Sequence, residues 1–180
     1  MAEVPKQQIP GVYHRKIGDI IVTAISDGYL DGDLTVMRNV DLDKAHAILA
    51  AAFRPARRTS VNTFLIHSRG RLALVDTGSG DYLQPTAGWA LRNLRAAGVD
   101  PAAIDTVLLT HMHPDHSAGL TDMKTGKLFY PNAELSTEPG DLFISRNAGN
   151  VIPVTANDVD GTARFIKLFF QLYKKRLLRG

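Results

Sequence analysis

The chain of 180 residues has no cysteine, so neither disulfides nor thiolate metal sites are available to it. It has a single tryptophan, and aromatic residues make up only 7% of the total. No apolar run approaches the length of a membrane span, and no internal repeat is visible. Residues 1–12 lack the apolar core of an export signal, so a cytoplasmic location is expected. Acidic residues are missing from 164–180, which holds six basic ones (Arg164, Lys167, Lys174, Lys175, Arg176 and Arg179). Removing that tail leaves 15 basic against 18 acidic groups, so the net charge of +3 belongs to the tail and nucleic-acid binding by the body is not expected. The final absence concerns histidine, of which there are six in all and none after His116.

What is present fits one globular domain with a real core, at 44% hydrophobic residues. Turn signals and periodicity predict an α/β chain built on a mixed sheet. Strands are expected at 12–17 and 20–26, the second ending at the Asp27-Gly28 turn signal. Asp41 can cap a helix over 42–53, with Leu42, Ala45, Leu49 and Ala52 on one face. A hairpin over 61–66 and 71–75 turns at Ser68-Arg69-Gly70. A second helix is expected over 86–97, presenting Ala87, Leu91, Leu94 and Ala97 and stopping at Gly98. Asp100-Pro101 starts a helical turn, and a buried strand over 106–110 follows. Two short strands, 128–130 and 133–135, flank Pro131-Asn132. His14 and His67 are expected to be structural, His46 solvated and Trp89 packed on the sheet.

The strand over 106–110 runs into Thr110-His111-Met112-His113-Pro114-Asp115-His116-Ser117-Ala118-Gly119-Leu120, which places half of the chain's histidines and a carboxylate within six residues. At strand period the first two imidazoles project to one side, and the turn imposed by Pro114 can bring Asp115 and His116 back toward them. Imidazole suits Zn, Fe, Ni or Cu, and the added carboxylate suits a hydrolytic ion with an open position. The alternative is a polar loop whose histidines only hydrogen-bond.

This segment resembles the zinc motif of the metallo-β-lactamase superfamily. Leu74-Val75-Asp76-Thr77-Gly78-Ser79-Gly80 resembles the strand-end Asp-Thr-Gly of the same family. The stretch from 11 to about 130 is similar to the N-terminal half of the branch that contains acyl-homoserine lactonases and methyl parathion hydrolase. The resemblance implies an αβ/βα sandwich of which the first half is complete. It also implies that His111 and His113 bind one metal, that Asp115 and His116 bind a second, and that a metal-held hydroxide attacks a small ester, lactone or phosphotriester. Asp115 is then both ligand and candidate catalytic carboxylate. Asp76 would sit beside the ligands and orient them, or would merely cap the turn before Thr77-Gly78.

The family pattern also needs a third His for the first metal, a bridging Asp and a further His, all from the downstream half. Downstream, Asp141, Asp158 and Asp160 remain as conceivable carboxylates, none of them in a recognisable family context. Ligand count therefore favours one shared ion, with zinc or a similar divalent metal as cofactor, an impaired hydrolase, and a homodimer as the route to ligands in trans. A non-catalytic metal-binding or interaction module is the alternative. Residues 138–153 locally resemble a strand and loop of β-class carbonic anhydrases without their zinc ligands, so 136–163 is expected to be an altered or truncated segment following a domain over 1–135. The tail, 164–180, reads as a basic amphipathic helix that covers the sheet or touches a membrane surface or partner; the other reading is a non-native end.

Overall fold

The computed structural model describes residues 4–137. These form one six-stranded mixed sheet in sequential order, as expected of the α/β reading. β1 (Val12–Ile17), β2 (Ile20–Gly32), β3 (Arg57–Ser68) and β4 (Arg71–Val75) make an antiparallel meander. β5 (Thr106–Leu109) and β6 (Glu134–Thr137) then add in parallel. The strand expected at 128–130 is only a bridge from Leu128 to Thr121, and the last strand starts at Glu134.

β2 does not end at Ser26. It runs on to Gly32 because Asp27 is accommodated as an extra residue, with the register slipping between Ser26 and Gly28. A bulge of this kind turns one side chain out of the pleat's alternation, and here it buries the Asp27 carboxyl completely. The β3–β4 turn places Arg69 and Gly70 at φ of 50° and 75° between the paired Ser68 and Arg71. Two consecutive left-handed residues match the right-handed twist of the flanking strands.

One face of the sheet carries the core. Ile25, Leu65, Leu72, Leu74, Val107 and Leu109 pack against Leu94, Ile104, Met112, Leu120 and Tyr130. Each such side chain contributes about 1.5–3 kcal/mol by leaving water. The opposite face is thinly covered. Tyr13, Ala24, Phe64, Val75 and Leu108 are register partners in a row across five strands, and Tyr13, Phe64 and Leu108 are exposed.

Of the two longer helices, the first forms as expected and the second departs in part. α1 (Leu42–Ala51) is capped by Asp41, whose Oδ1 accepts from Lys44 N at 3.1 Å, yet none of its residues is buried. Its apolar stripe is real, but no described element covers it. α2 (Ala90–Ala96) starts four residues late because Gly88 takes φ of 86° beside the Gly80 carbonyl, which holds 86–89 out of the helix. Its buried residues are Ala90, Asn93 and Leu94; of the expected stripe Ala87 and Leu94 are buried and Leu91 packs against the core, and Gly98 does stop the helix at φ of 80°. Trp89 is half-buried, with the Arg92 guanidinium 4.9 Å from its ring centre. His46 is exposed, His67 is buried on β3, and His14 Nδ1 lies 2.8 Å from Thr23 Oγ1. The expected carbonic-anhydrase-like strand at 138–153 and the basic helix at 164–180 lie outside the described residues. No helix among the described residues is long and apolar enough to cross a membrane.

Candidate metal centre

Two neighbouring parallel strands deliver the site. β4 ends at Val75 and hands on to Asp76, while β5 ends at Leu109 and hands on to Thr110. The ladder continues past both ends, since Asp76 N donates to Leu108 O at 2.8 Å. Asp76 adopts φ of 58°, a conformation that Asp tolerates better than most side chains. That turn aims its carboxyl across to β5. Oδ1 accepts from Thr110 N at 2.8 Å, and the Thr110 hydroxyl lies 3.0 and 2.9 Å from the two carboxyl oxygens.

After Thr110 the chain forms α3 (Pro114–Ser117), a single turn with Pro114 at its first position. Ser117 Oγ donates to the carbonyls of Met112 and His113, both at 3.0 Å, and so locks the turn. The His116 carbonyl accepts from Thr77 N at 2.8 Å and from Thr77 Oγ1 at 3.0 Å. Gly119 N donates to Gly78 O at 2.9 Å, at a crossing so close that any Cβ on Gly119 would run into the Thr77 carbonyl. The loop is thus fastened to the 76–80 turn on both sides.

This framework gathers the predicted residues. The His111 ring lies 4.7 Å from that of His113 and 3.9 Å from that of His116, centre to centre. His116 Nδ1 is 2.8 Å from Asp76 Oδ2, and His116 Nε2 is 3.2 Å from Asp115 Oδ2. Because an ionised carboxyl only accepts, the proton of that first contact sits on His116 Nδ1. Since the Thr110 hydroxyl is spent on Asp76, it accepts from His111 Nδ1 at 3.1 Å. His111 Nδ1 is thereby engaged by Thr110 and His116 Nδ1 by Asp76, while His116 Nε2 meets Asp115 Oδ2.

The electrostatics follow from these contacts. The hydrogen bonds that His116 donates to Asp115 and then to Asp76 raise its pKa to about 9, against the opposing effect of burial. Asp115 is held below the usual carboxylate range, first by its hydrogen bond with His116. Burial opposes ionisation of Asp76, but the hydrogen bonds from His116 and Thr110 outweigh it and its pKa falls. His111 moves down, chiefly through burial and then through the neighbouring His116 and His113 charges.

The donor set suits a borderline divalent cation of the zinc type, and the Asp115–His116 separation of 3.2 Å is near the ~3.4 Å edge of a tetrahedron with ~2.1 Å bonds. Among the described residues, no group of three or more His, Asp or Glu is arranged to hold one ion. The fit is thus to part of a coordination shell.

Sequence reasoning missed Thr110, which clamps both Asp76 and His111, and it read Asp27 only as a turn signal. Asp27 Oδ2 accepts from Ser79 N at 2.8 Å and Gly88 N at 3.1 Å, and Oδ1 accepts from Ala90 N at 2.9 Å. It pins the segment that follows Asp76 to the bulge in β2. An Asp in the middle of a strand pattern, followed by Gly, was the available signal for that bulge.

Residues 56–125 match the family described as the Metallo-beta-lactamase superfamily. Among curated proteins, the chain is 41% identical over 69 residues to Beta-lactamase-like protein 2 homolog of Drosophila melanogaster, covering 37% of this chain and 22% of that one. It is 28% identical over 102 residues to Ribonuclease Z of Clostridium kluyveri, covering 56% and 24%. It is 29% identical over 102 residues to Thioesterase pkgB of Emericella nidulans, covering 53% and 28%. Among solved structures, the hydrolase AbOPH of the beta lactamase superfamily superposes with a TM-score of 0.72 at 27% identity, covering 95% of this chain and 60% of that one. The dizinc quorum-quenching lactonase AidC gives 0.69 at 22% identity, covering 87% and 59%, a likeness of fold alone. The chain spans about a quarter of the length of these curated relatives. Its mixed sheet has the fold of the metallo-β-lactamase hydrolases, and its relatives are hydrolase-like proteins of that superfamily.

Proposed function

We propose that the loop from His111 to His116 holds a divalent transition-metal ion, zinc by preference, and that the chain carries the metal-binding half of a hydrolase for a small ester, lactone or phosphotriester. The observation that carries this reading is the relay Thr110–Asp76–His116. A buried carboxyl, itself fixed by a backbone N–H and a hydroxyl, fixes Nδ1 of an imidazole and leaves Nε2 beside a second carboxyl. Metal-binding histidines are commonly oriented this way, by a carboxyl on the ring nitrogen that faces away from the ion.

Each residue then has a part. Asp115 and His116 offer one pair of donors, and His111 and His113 the other. Asp76 and Thr110 set ring orientation and tautomer. Asp115, held ionised by His116, is also the group able to accept a proton from an attacking water. The bound ion supplies a Lewis acid for the scissile oxygen and lowers the pKa of water. The lack of a three-donor group among the described residues favours a second reading, a metal-binding module without turnover.

Elemental analysis and titration calorimetry on the parent, His113→Ala and His116→Ala test the site. The parent should take up metal at neutral pH, and both variants should lose most of that uptake. Uptake unchanged in both variants, or none by the folded parent, overturns the proposal. Turnover of aryl ester, lactone and phosphotriester substrates by the loaded chain separates the two readings: metal uptake without turnover selects the module.

A further inference from the structure

We propose that the open cavity bounded by the 80–88 loop, the start of α2 and the 122–129 segment is a binding site for a small molecule with an apolar body and a protonated amine. Its volume is about 420 Å³, within the range of small-molecule sites, roughly 300–1,000 Å³. None of the residues proposed above to hold metal lines it, so the site does not depend on that reading. The lining divides by chemistry. Leu83, Pro85, Ala87, Leu91 and Phe129 make it apolar, and Leu91 and Phe129 are themselves packed against the hydrophobic core. The charged residues of the lining are Asp81 and Asp122, and no lysine or arginine among the described residues joins them.

The walls are held by their own bonds. Gly80 and Gly88 cross so closely that a Cβ on Gly88 would run into the Gly80 carbonyl, and Asp27 fixes Gly88 N. The Gln84 side chain accepts from Asp31 N and donates to Asp31 O, both at 2.9 Å, which ties the loop to β2. In the other wall, Asp122 Oδ1 accepts from Lys124 N at 2.9 Å and from Thr125 N at 3.1 Å. Those two bonds hold the Asp122 carboxyl below the usual carboxylate range, and the Lys124 charge adds less than either. A cavity fixed in this way gives up little freedom when it is filled. Its chemistry selects the ligand. Two carboxylates beside a low-dielectric lining concentrate negative potential in the space between, attracting a cation and repelling an anion of the same shape. The apolar lining favours a hydrocarbon or aromatic body over a bare ion, since such a body would take Leu83, now 38% exposed, out of water.

Titration calorimetry and ligand-observed NMR on the metal-free full chain provide the test, with phenethylamine as the probe and hydrocinnamate as an anion of similar size and shape. Phenethylamine should bind, and hydrocinnamate should bind at least about tenfold more weakly. Asp81→Asn and Asp122→Asn should each weaken phenethylamine binding about threefold, as expected of partly solvated charge pairs. Leu83→Ser should weaken it about fivefold through lost apolar contact. Asp19→Asn, in the turn between β1 and β2, should leave it unchanged. Circular dichroism confirms that each variant is folded. No binding of phenethylamine at millimolar concentration overturns the proposal, as does equal binding of the two probes. Binding that survives undiminished in both aspartate variants, or in Leu83→Ser, overturns it too. Asp19→Asn weakening binding as much as the cavity variants would mark unspecific attraction to a carboxylate and equally overturn it.

Discussion

Replacing Asp27 should damage this protein more than any change to its exposed charges, although Asp27 touches no proposed ligand. The carboxyl is wholly inaccessible and accepts three backbone N–H groups, from Ser79, Gly88 and Ala90. In Asp27→Ala all three donors lose their acceptor. Those of Ser79 and Ala90 belong to buried residues, and each abandoned buried donor costs about 1–3 kcal/mol. A loss of about 3 kcal/mol is therefore expected, out of a total that for a domain is typically about 5–15 kcal/mol. At roughly 2–4 °C per kcal/mol that lowers the melting midpoint by about 6–12 °C. Asp27→Asn should fall between the two, because one amide oxygen can keep Ala90 while the NH2 group turns toward donors that it cannot accept from. The assay is chemical and thermal unfolding of metal-free full-length protein by circular dichroism, with Asp31→Ala as the control. Asp31 forms the exposed pair with Arg58, and its loss should leave the midpoint nearly unchanged. An Asp27→Ala variant as stable as the parent would refute the reasoning, as would an Asn variant worse than Ala.

Other outcomes follow from the site. In the metal-free chain the raised His116 pKa contributes stability that is complete below pH 6.5 and is lost as pH rises through about 9. Its size is on the order of 2 kcal/mol once solvent screening of this partly exposed pair is allowed for. The lowered Asp76 and Asp115 act in the opposite sense, their contribution vanishing as pH falls through the carboxylate range, so stability should peak between the two limits. Asp76→Asn should flatten the alkaline slope in urea titrations at stepped pH; an unchanged slope would mean that His116 does not titrate as the geometry implies. Gly119→Ala should cost about 1–3 kcal/mol and lower metal uptake, because its Cβ meets the Thr77 carbonyl. Gly126→Ala meets nothing within 4 Å and should show only the strain of φ at 74°; equal losses in the two variants by differential scanning calorimetry would remove the steric argument.

How much of this was legible in the sequence depended on distance along the chain. His111, His113, Asp115 and His116 lie within six residues, so their gathering is a local matter of strand period and one proline turn. Asp76 was visible through its Asp-Thr-Gly setting, but its bond to Thr110 crosses between strands and was not readable locally. Asp27 was legible only as an Asp-Gly break in a strand pattern, because its donors are 52, 61 and 63 residues away. The stripe on α1 was legible as a pattern, but whether it is buried was not. Periodicity says that a helix has an apolar side, not that its own chain covers it.

The crossover between β4 and β5 gives the molecule two folding histories. β1 with β2 and β3 with β4 close across two-residue turns, so these hairpins can form early, whereas β2 meets β3 only across residues 33–56. The parallel pairing of β4 with β5 must wait for the whole segment 76–105 to fold back. The contact of Asp76 with Thr110 and the fastening of His116 to Thr77 exist only after that closure. The histidine loop is therefore a late clasp rather than part of the early scaffold. Amide exchange should find it opening together with the β4–β5 joint, in a unit distinct from the meander. Whatever tightens that clasp slows the opening of the joint, and whatever loosens the joint releases the clasp first.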